Sequence, residues 1–271
     1  MDATAALVDD IAAEAADADG ADPLDEATRI ALADGAVSVI ADDDAFALLH
    51  ADDLSLVVRP AARRRGLGSA LLTRAESSYD GPLTAWSHGN HPAAARLAAR
   101  HGWERVRDLW VMRRPTTDPL PPLSLPDGVE IRSYRDTDAA DVVAVNAAAF
   151  AHHPEQGAMD ADNLARRMAE PWFDPAGLLV AEDASGMLGF HWTKQHDARL
   201  GEVYVVGVAP AAQGRGLGRA LTLAGLHHLA GAGVEEVLLY VESDNAPAVA
   251  LYSRLGFGHA EADTHVQYRR G

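Results

Sequence analysis

The chain has 271 residues, no cysteine, 48% hydrophobic residues and a formal net charge of −17. The length suits two domains, each able to bury its own core. The missing cysteines exclude disulfides, thiolate metal sites and cysteine nucleophiles, and the acidic balance argues against nucleic-acid or anionic-membrane partners, which need broad basic surfaces.

In chain order, the apolar spacing predicts helices near Ala3–Ala16 and Asp25–Ala33, then strands at Ala36–Ile40, Phe46–His50 and Leu54–Val58. A helix (Gly68–Ser78), a strand (Leu83–Trp86), a helix (Pro92–Arg100) and a strand (Trp103–Met112) follow. The segment Arg114–Gly128, RPTTDPLPPLSLPDG, is proline-rich and aperiodic, so it reads as a semi-rigid linker. After it the order returns: a strand (Val129–Tyr134), helices (Asp138–Ala148, Ala161–Ala169) and strands at Leu178–Ala181, Leu188–Lys194 and Glu202–Val208. A helix (Gly218–Ala230), a strand (Glu236–Val241), a helix (Pro247–Leu255) and a C-terminal strand region (Phe257–Tyr268) complete it. The expected class is α/β, with mixed sheets flanked by helices. The expected division is 1–113, a linker 114–128, and 129–271. No apolar run approaches the roughly 18–20 residues that span a bilayer. The acidic, alanine-rich start lacks the basic onset of a signal peptide, so a cytoplasmic, monomeric protein is expected.

One pattern occurs twice. Val57–Leu72 reads VVRPAARRRGLGSALL and Gly207–Thr222 reads GVAPAAQGRGLGRALT, 150 residues apart. Each follows a β-branched run and opens a helical stretch. Such a turn presents unpaired backbone N–H groups at the positive end of a helix dipole, and glycine lets the backbone approach a phosphate closely. The clustered cations, Arg63–Arg65 and Arg215 with Arg219, lie on these two turns. A locally basic cleft on an acidic body suits a small polyanion. The chain also keeps one lysine, Lys194, among 23 basic residues. Biased codon usage explains the arginine excess but not why this lysine remains.

The second copy, Gln213-Gly-Arg-Gly-Leu-Gly218, is followed by Asn245-x-Pro-Ala-Val-Ala-Leu-Tyr252-x-x-Leu-Gly-Phe257. Together they resemble the GNAT acetyltransferase superfamily. His153-Pro-Glu-Gln-Gly157, Gly189-Phe-His-Trp-Thr-Lys194, Gly201–Val208 and Tyr240-Val-Glu-Ser-Asp-Asn245 extend the resemblance to the mycothiol synthase family over nearly the whole chain. That resemblance implies two tandem GNAT-type domains, each with a mixed, mostly antiparallel sheet, the first degenerate and the second catalytic. It implies acetyl transfer from acetyl-CoA to the cysteinyl amine of a cysteine–glucosamine–inositol conjugate. Two alternatives stay open: an N-acetyltransferase for another small amine or a protein N-terminus, and a non-catalytic acyl-CoA-binding module.

By the same resemblance, Glu202 is the general base and Tyr252 the general acid. An α-amine, with a pKa near 8, must lose a proton before it attacks, and a phenol can protonate the leaving thiolate. Glu26, Glu155, Lys194, Glu202 and Tyr240 match acceptor-binding positions. Glu26 rests on a loose alignment. A compact ammonium at Lys194 would suit clustered hydroxyls better than a planar guanidinium. Val206, Gly207 and Val208 would pair with the pantetheine arm and supply an oxyanion donor. Gln213, Gly214, Arg215, Gly216, Leu217, Gly218 and Arg219 would hold the diphosphate, with Asn245, Ala246, Pro247, Ala248, Val249 and Ala250 along the arm. In the first copy, Leu56, Val57 and Val58 with Arg64, Arg65, Gly66, Leu67, Gly68 and Ser69 would bind a second acetyl-CoA without turnover. There Asp52 faces the place of Glu202, and the tyrosine position falls on Leu97 or Ala98. No metal is expected: His152, His153, His191 and His196 lack the spacing of paired ligands on one helix face. No serine constellation suggests a covalent intermediate.

Overall fold

Strand, phosphate turn and helix follow one another twice in a computed structural model that describes residues 3–152 and 154–271. The elements are α1 (Ala3–Asp19), α2 (Glu26–Ala33), β1 (Ser38–Asp42), β2 (Ala45–His50), β3 (Asp53–Val58), α3 (Leu67–Ser77), β4 (Leu83–Ser87), α4 (Pro92–His101) and β5 (Glu104–Pro115). They continue with β6 (Glu130–Ser133), α5 (Ala139–Ala149), α6 (Pro154–Gly157), α7 (Ala161–Met168), β7 (Leu178–Asp183), β8 (Gly186–Gln195), β9 (Leu200–Val208), α8 (Leu217–Gly231), β10 (Glu236–Glu242), α9 (Ala246–Arg254) and β11 (Gly258–Arg270). The expected elements are present with ends shifted by a few residues. The short α6 is an addition. Strand β5 runs on to Pro115, into the stretch expected to be linker, because Arg114 is buried there. Its guanidinium donates to the carbonyls of Leu255 and Asp118, each at 2.8 Å.

Packing divides the chain into two units that do not follow its linear order. The first holds residues 1–111, 242–244 and 260–271; the second holds 112–241 and 245–259. In the first unit β1, β2 and β3 pair antiparallel, β3 meets β4 in parallel, and β11 pairs antiparallel with β4. Strand β2 is apolar at consecutive positions because both its faces are covered. Phe46 and Leu48 pack with Val8, Ile11 and Ala15 of α1, while Ala45 and Ala47 pack with Leu71, Leu72 and Ala75 of α3.

The second unit repeats the plan. Strands β6, β7, β8 and β9 pair antiparallel, and β9 runs parallel to β10. Phe190 and Trp192 of β8 face α5 and α7, and Leu188 faces Leu217 and Leu221 of α8. Each sheet is therefore mixed and mostly antiparallel, with helices on both faces. No helix among the described residues is long and apolar enough to cross a membrane.

Helix α8 lies close on β8 because Gly225 has no side chain: a Cβ there would stand 2.0 Å from Cε1 of His191. His191 is fully buried and donates Nδ1–H to the Leu221 carbonyl at 2.7 Å. Desolvation pushes its pKa down to about 4. A folded value below the unfolded one means that the unfolded chain takes up this proton first as pH falls, so stability is lost from about pH 6.5 downward. We expect the His191 contribution to fall by about 2 kcal/mol between pH 7 and pH 5. Urea unfolding of the wild type and His191→Gln at both pH values checks this; an equal pH dependence in the two proteins would refute it.

Candidate active site

The two phosphate turns share one backbone. A single 3-10 turn (Pro60–Ala62; Pro210–Ala212) ends at an extended residue, Arg63 at φ −63° and ψ 161° or Gln213 at φ −64° and ψ 158°. A left-handed residue follows, Arg64 at φ 65° or Gly214 at φ 77°. The cap glycine is left-handed too, Gly66 at φ 87° and Gly216 at φ 83°. Neither α3 nor α8 has a side-chain cap, so the first N–H groups of each helix point into the turn without an internal acceptor. A Cβ at Gly214 or Gly216 would meet nothing within 4 Å, which leaves the second cradle open. In the first copy an arginine occupies a conformation that costs a non-glycine residue roughly 1–2 kcal/mol.

The copies differ in charge as well as in the residue at the left-handed position. Helix α1 engages part of the first turn's positive charge. Arg59 is paired with Asp10 and Glu14, and Arg63 forms a bidentate pair with Asp19 at 2.6 and 2.7 Å. Arg64 and Arg65 stay exposed. In the second turn Arg215 touches Asp183 at 3.2 Å, and Arg219 is exposed.

Beside the second turn the sheet opens. The β9–β10 ladder runs from Leu200↔Glu236 to Val203↔Leu239 and stops. The β8–β9 register slips at the same height: Thr193 pairs with Val203, but Trp192 pairs with Val205. Tyr204 is the extra residue of a bulge, which bends and twists its strand away from its neighbour. Val206, Gly207 and Val208 pair with β8 on one edge. Their edge toward β10 carries no ladder among the described residues, so its N–H and C=O groups are available to an extended ligand.

Glu202 lies two residues before the bulge and is 5% exposed. His196 Nε2 is 2.6 Å from its Oε2. Lys194 stands directly across the ladder from Glu202, so their Cβ atoms are neighbours on one face at about 5 Å. The Lys194 ammonium sits 4.4 Å from the centre of the Trp172 ring and 5.1 Å from that of Tyr204, a favourable cation–π placement. Arg167 donates to the Tyr204 hydroxyl and also to Asn163. Asn163, Arg167 and Tyr204 line a pocket of about 70 Å³ together with Gln156 and Val205. Tyr240, 44% exposed, stands one residue beyond the last β9–β10 pair.

Tyr252 is on α9. Asn245 caps this helix by accepting from the Ala248 N–H at 3.2 Å, and Pro247 lies in the first turn. Leu251 packs against Gly218, 3.9 Å from where its Cβ would be, which lays α9 beside the phosphate turn. The Tyr252 ring meets Phe257 edge-on at 5.9 Å. Burial alone pushes its phenol up to about 12.

Thus Lys194, Glu202 and the β9 edge come together, and α9 joins the phosphate turn. Glu155 lies in α6, its side chain outside the described residues, as is all of His153. Glu26 begins α2 in the first unit, and its assignment to the acceptor rests on the resemblance alone. Trp172, Tyr204, Arg167 and His196 were not singled out as site residues by sequence reasoning. Tyr204 carries a weak signal, an aromatic among valines in Val203–Val208. Trp172 and Arg167 come from distant segments and carry none, and His196, two residues after Lys194, is weighed in the sequence only as a metal ligand.

In the first copy, Leu97 packs 3.8 Å from the Cβ position of Gly68, as Leu251 does on Gly218. That settles the alignment: Ala98 takes the place of Tyr252. Strands β2 and β3 pair without a register shift, so there is no bulge. Asp52 is exposed and precedes β3. In the first unit a serine, a histidine and a glutamate come together. Ser69 Oγ is 2.6 Å from His101 Nε2, whose Nδ1 is 3.5 Å from Glu76. Glu76 also accepts from Trp103 Nε1 at 2.8 Å, so this set ties the start of α3 to the end of α4. Among the described residues no group of three or more His, Asp or Glu side chains is placed to hold a metal.

Residues 147–257 match the Acetyltransferase (GNAT) family, and residues 24–105 match the Acetyltransferase (GNAT) domain. The chain is 60% identical to a mycothiol acetyltransferase of Nocardioides sp., covering 98% of this chain and 97% of that protein. It is 48% identical to a mycothiol acetyltransferase of Salinispora tropica, covering 96% and 91%. Among solved structures, a GCN5-related N-acetyltransferase from Sphaerobacter thermophilus superposes with a TM-score of 0.70 at 23% identity over 99% of this chain and 92% of that one. A tandem GNAT protein from the clavulanic acid biosynthesis pathway gives 0.69 at 20% identity over 99% and 95%. These two likenesses speak to the fold.

Proposed function

Since the chain belongs to the GNAT acetyltransferase family, in its mycothiol acetyltransferase branch, we propose that the second unit transfers acetyl to the cysteinyl amine of cysteine–glucosamine–inositol, with Glu202 as base and Tyr252 as acid. The chain is an acetyl-CoA-dependent N-acetyltransferase of mycothiol biosynthesis. The observation that carries the residue assignment is the buried Glu202 carboxylate, which lies just before the bulge where β9 parts from β10.

Acetyl-CoA brings an activated thioester. The open turn Gln213–Arg219 holds its diphosphate through helix N–H groups and the Arg215 and Arg219 cations. The unpaired edge Val206–Val208 takes the pantetheine amides in strand fashion, and an N–H of this edge meets the oxygen that becomes negative. Asn245–Ala250 lie along the arm. The acceptor amine is mostly ammonium at neutral pH. Glu202 takes one proton from the ammonium, the neutral amine forms the C–N bond as the C–S bond breaks, Tyr252 gives its proton to the departing sulfur, and the second proton shed by the nitrogen restores the Tyr252 phenol. Lys194 and Tyr240, with Glu155, bind the acceptor's hydroxyls. The test is incubation with acetyl-CoA and the cysteinyl pseudodisaccharide, followed by mass analysis. One added acetyl group is expected, and an unchanged acceptor mass would refute the reading.

The first copy keeps the cradle without bulge, buried acid or tyrosine. It is proposed to bind acetyl-CoA through Leu56–Val58 and Arg64–Ser69 and not to turn it over. Calorimetric titration of CoA should give two equivalents for the wild type and one for the double variant Arg215→Glu, Arg219→Glu. No residual binding in that variant would remove the first site.

A further inference from the structure

The Glu202 carboxylate is held by one oxygen and open at the other. His196 Nε2 contacts Oε2 at 2.6 Å and is the carboxylate's hydrogen-bond partner among the described residues. Oε1 is not among the buried polar atoms that lack a partner, so it retains some surface although the side chain is only 6% exposed. The imidazole itself is firmly placed. Its backbone N–H donates to the Leu200 carbonyl at 2.9 Å, and Asp197 Oδ1 accepts from the N–H groups of Arg199 and Leu200 at 2.7 and 2.9 Å. The β8–β9 turn is thereby stiffened, and it is the element that presents His196 to Glu202. The ring is 34% exposed, so it bridges water and the buried acid.

Resting on the reading of Glu202 as the base, we propose that His196 is a positioning residue: its Nε2–H holds Oε2 and turns Oε1 toward the acceptor amine. A carboxylate removed from water is disfavoured unless a donor compensates it. A hydrogen bond to a charged group is among the stronger ones a protein makes. Lys194 stands across the β8–β9 ladder, Asp197 sits in the turn beside His196, and Leu238 of β10, paired with Glu202 on the other side, brings no charge. The proton balance is simple. The acceptor ammonium gives one proton to Oε1, while the Nε2–H bond to Oε2 stays intact.

Steady-state kinetics of the full-length enzyme at neutral pH test this with His196→Ala, His196→Gln and Glu202→Gln. In His196→Ala kcat should fall by roughly tenfold, with the KM for acetyl-CoA changed less than twofold. In His196→Gln, which restores an N–H donor, kcat should recover to within about threefold of wild type. An unchanged kcat in His196→Ala, or a loss that Gln does not repair, overturns the proposal. If Glu202→Gln is inactive while His196→Ala keeps the wild-type kcat, only this inference falls. Wild-type kcat in both variants would instead remove Glu202 as the base.

Discussion

Glu202→Gln is expected to lower kcat near neutral pH by roughly 10²–10⁴-fold, the usual worth of a positioned general base. The glutamine keeps the size of the side chain and can still accept from His196 Nε2 (2.6 Å in the wild type). CoA affinity should therefore stay within about twofold. What is lost is proton removal from an amine whose pKa lies near 8. Above that value the acceptor increasingly arrives already neutral, so the deficit should shrink as pH rises from 7 to 9. Initial rates across that range, with CoA binding measured in parallel, provide the check. A deficit that is constant with pH would point to lost acceptor binding, and full activity would eliminate the base.

Tyr252→Phe should slow transfer by about 10²-fold, the lower end of the range for acid catalysis. A thiolate with an ordinary thiol pKa near 8.5 leaves with modest help, so the phenol accelerates the step without being indispensable. The ring packs edge-on to Phe257. Phenylalanine keeps that contact, so stability and CoA binding should hold. Desolvation raises the phenol to about 12, so the acid form persists below that value and no alkaline limb from Tyr252 is expected under pH 11. A kcat for Tyr252→Phe equal to wild type, measured with saturating substrates, would end its role as proton donor.

Much of the fold could be read in one dimension. Period-two and period-3.6 patterns place most elements because each buries one or two faces against its neighbours. The glycine turns were equally legible: Gly66 and Gly216 take positive φ, which few other residues do at low cost. Arg114 reads as linker because an arginine at the edge of a proline-rich stretch does not reveal the two carbonyls that its guanidinium meets. Leu97 and Ala98 could not be told apart by counting; the contact of Leu97 with Gly68 decides it. Ser69, His101 and Glu76 converge only when α3 packs beside α4.

The duplication and the helix-start phosphate cradles are legible in one dimension, because they depend on local backbone chemistry and short spacings, while the candidates Glu202, Lys194 and Tyr252 come from the family resemblance of their motifs. Only packing reveals the backbone difference between the two copies. One inserted residue at Tyr204 and a ladder that ends at Val203↔Leu239 open the edge of one strand. The imidazole of His196 reaches Glu202 only across a folded turn. Register, burial and hydrogen-bond partners are properties of chains packed against each other, and a bulge has no spelling in the sequence.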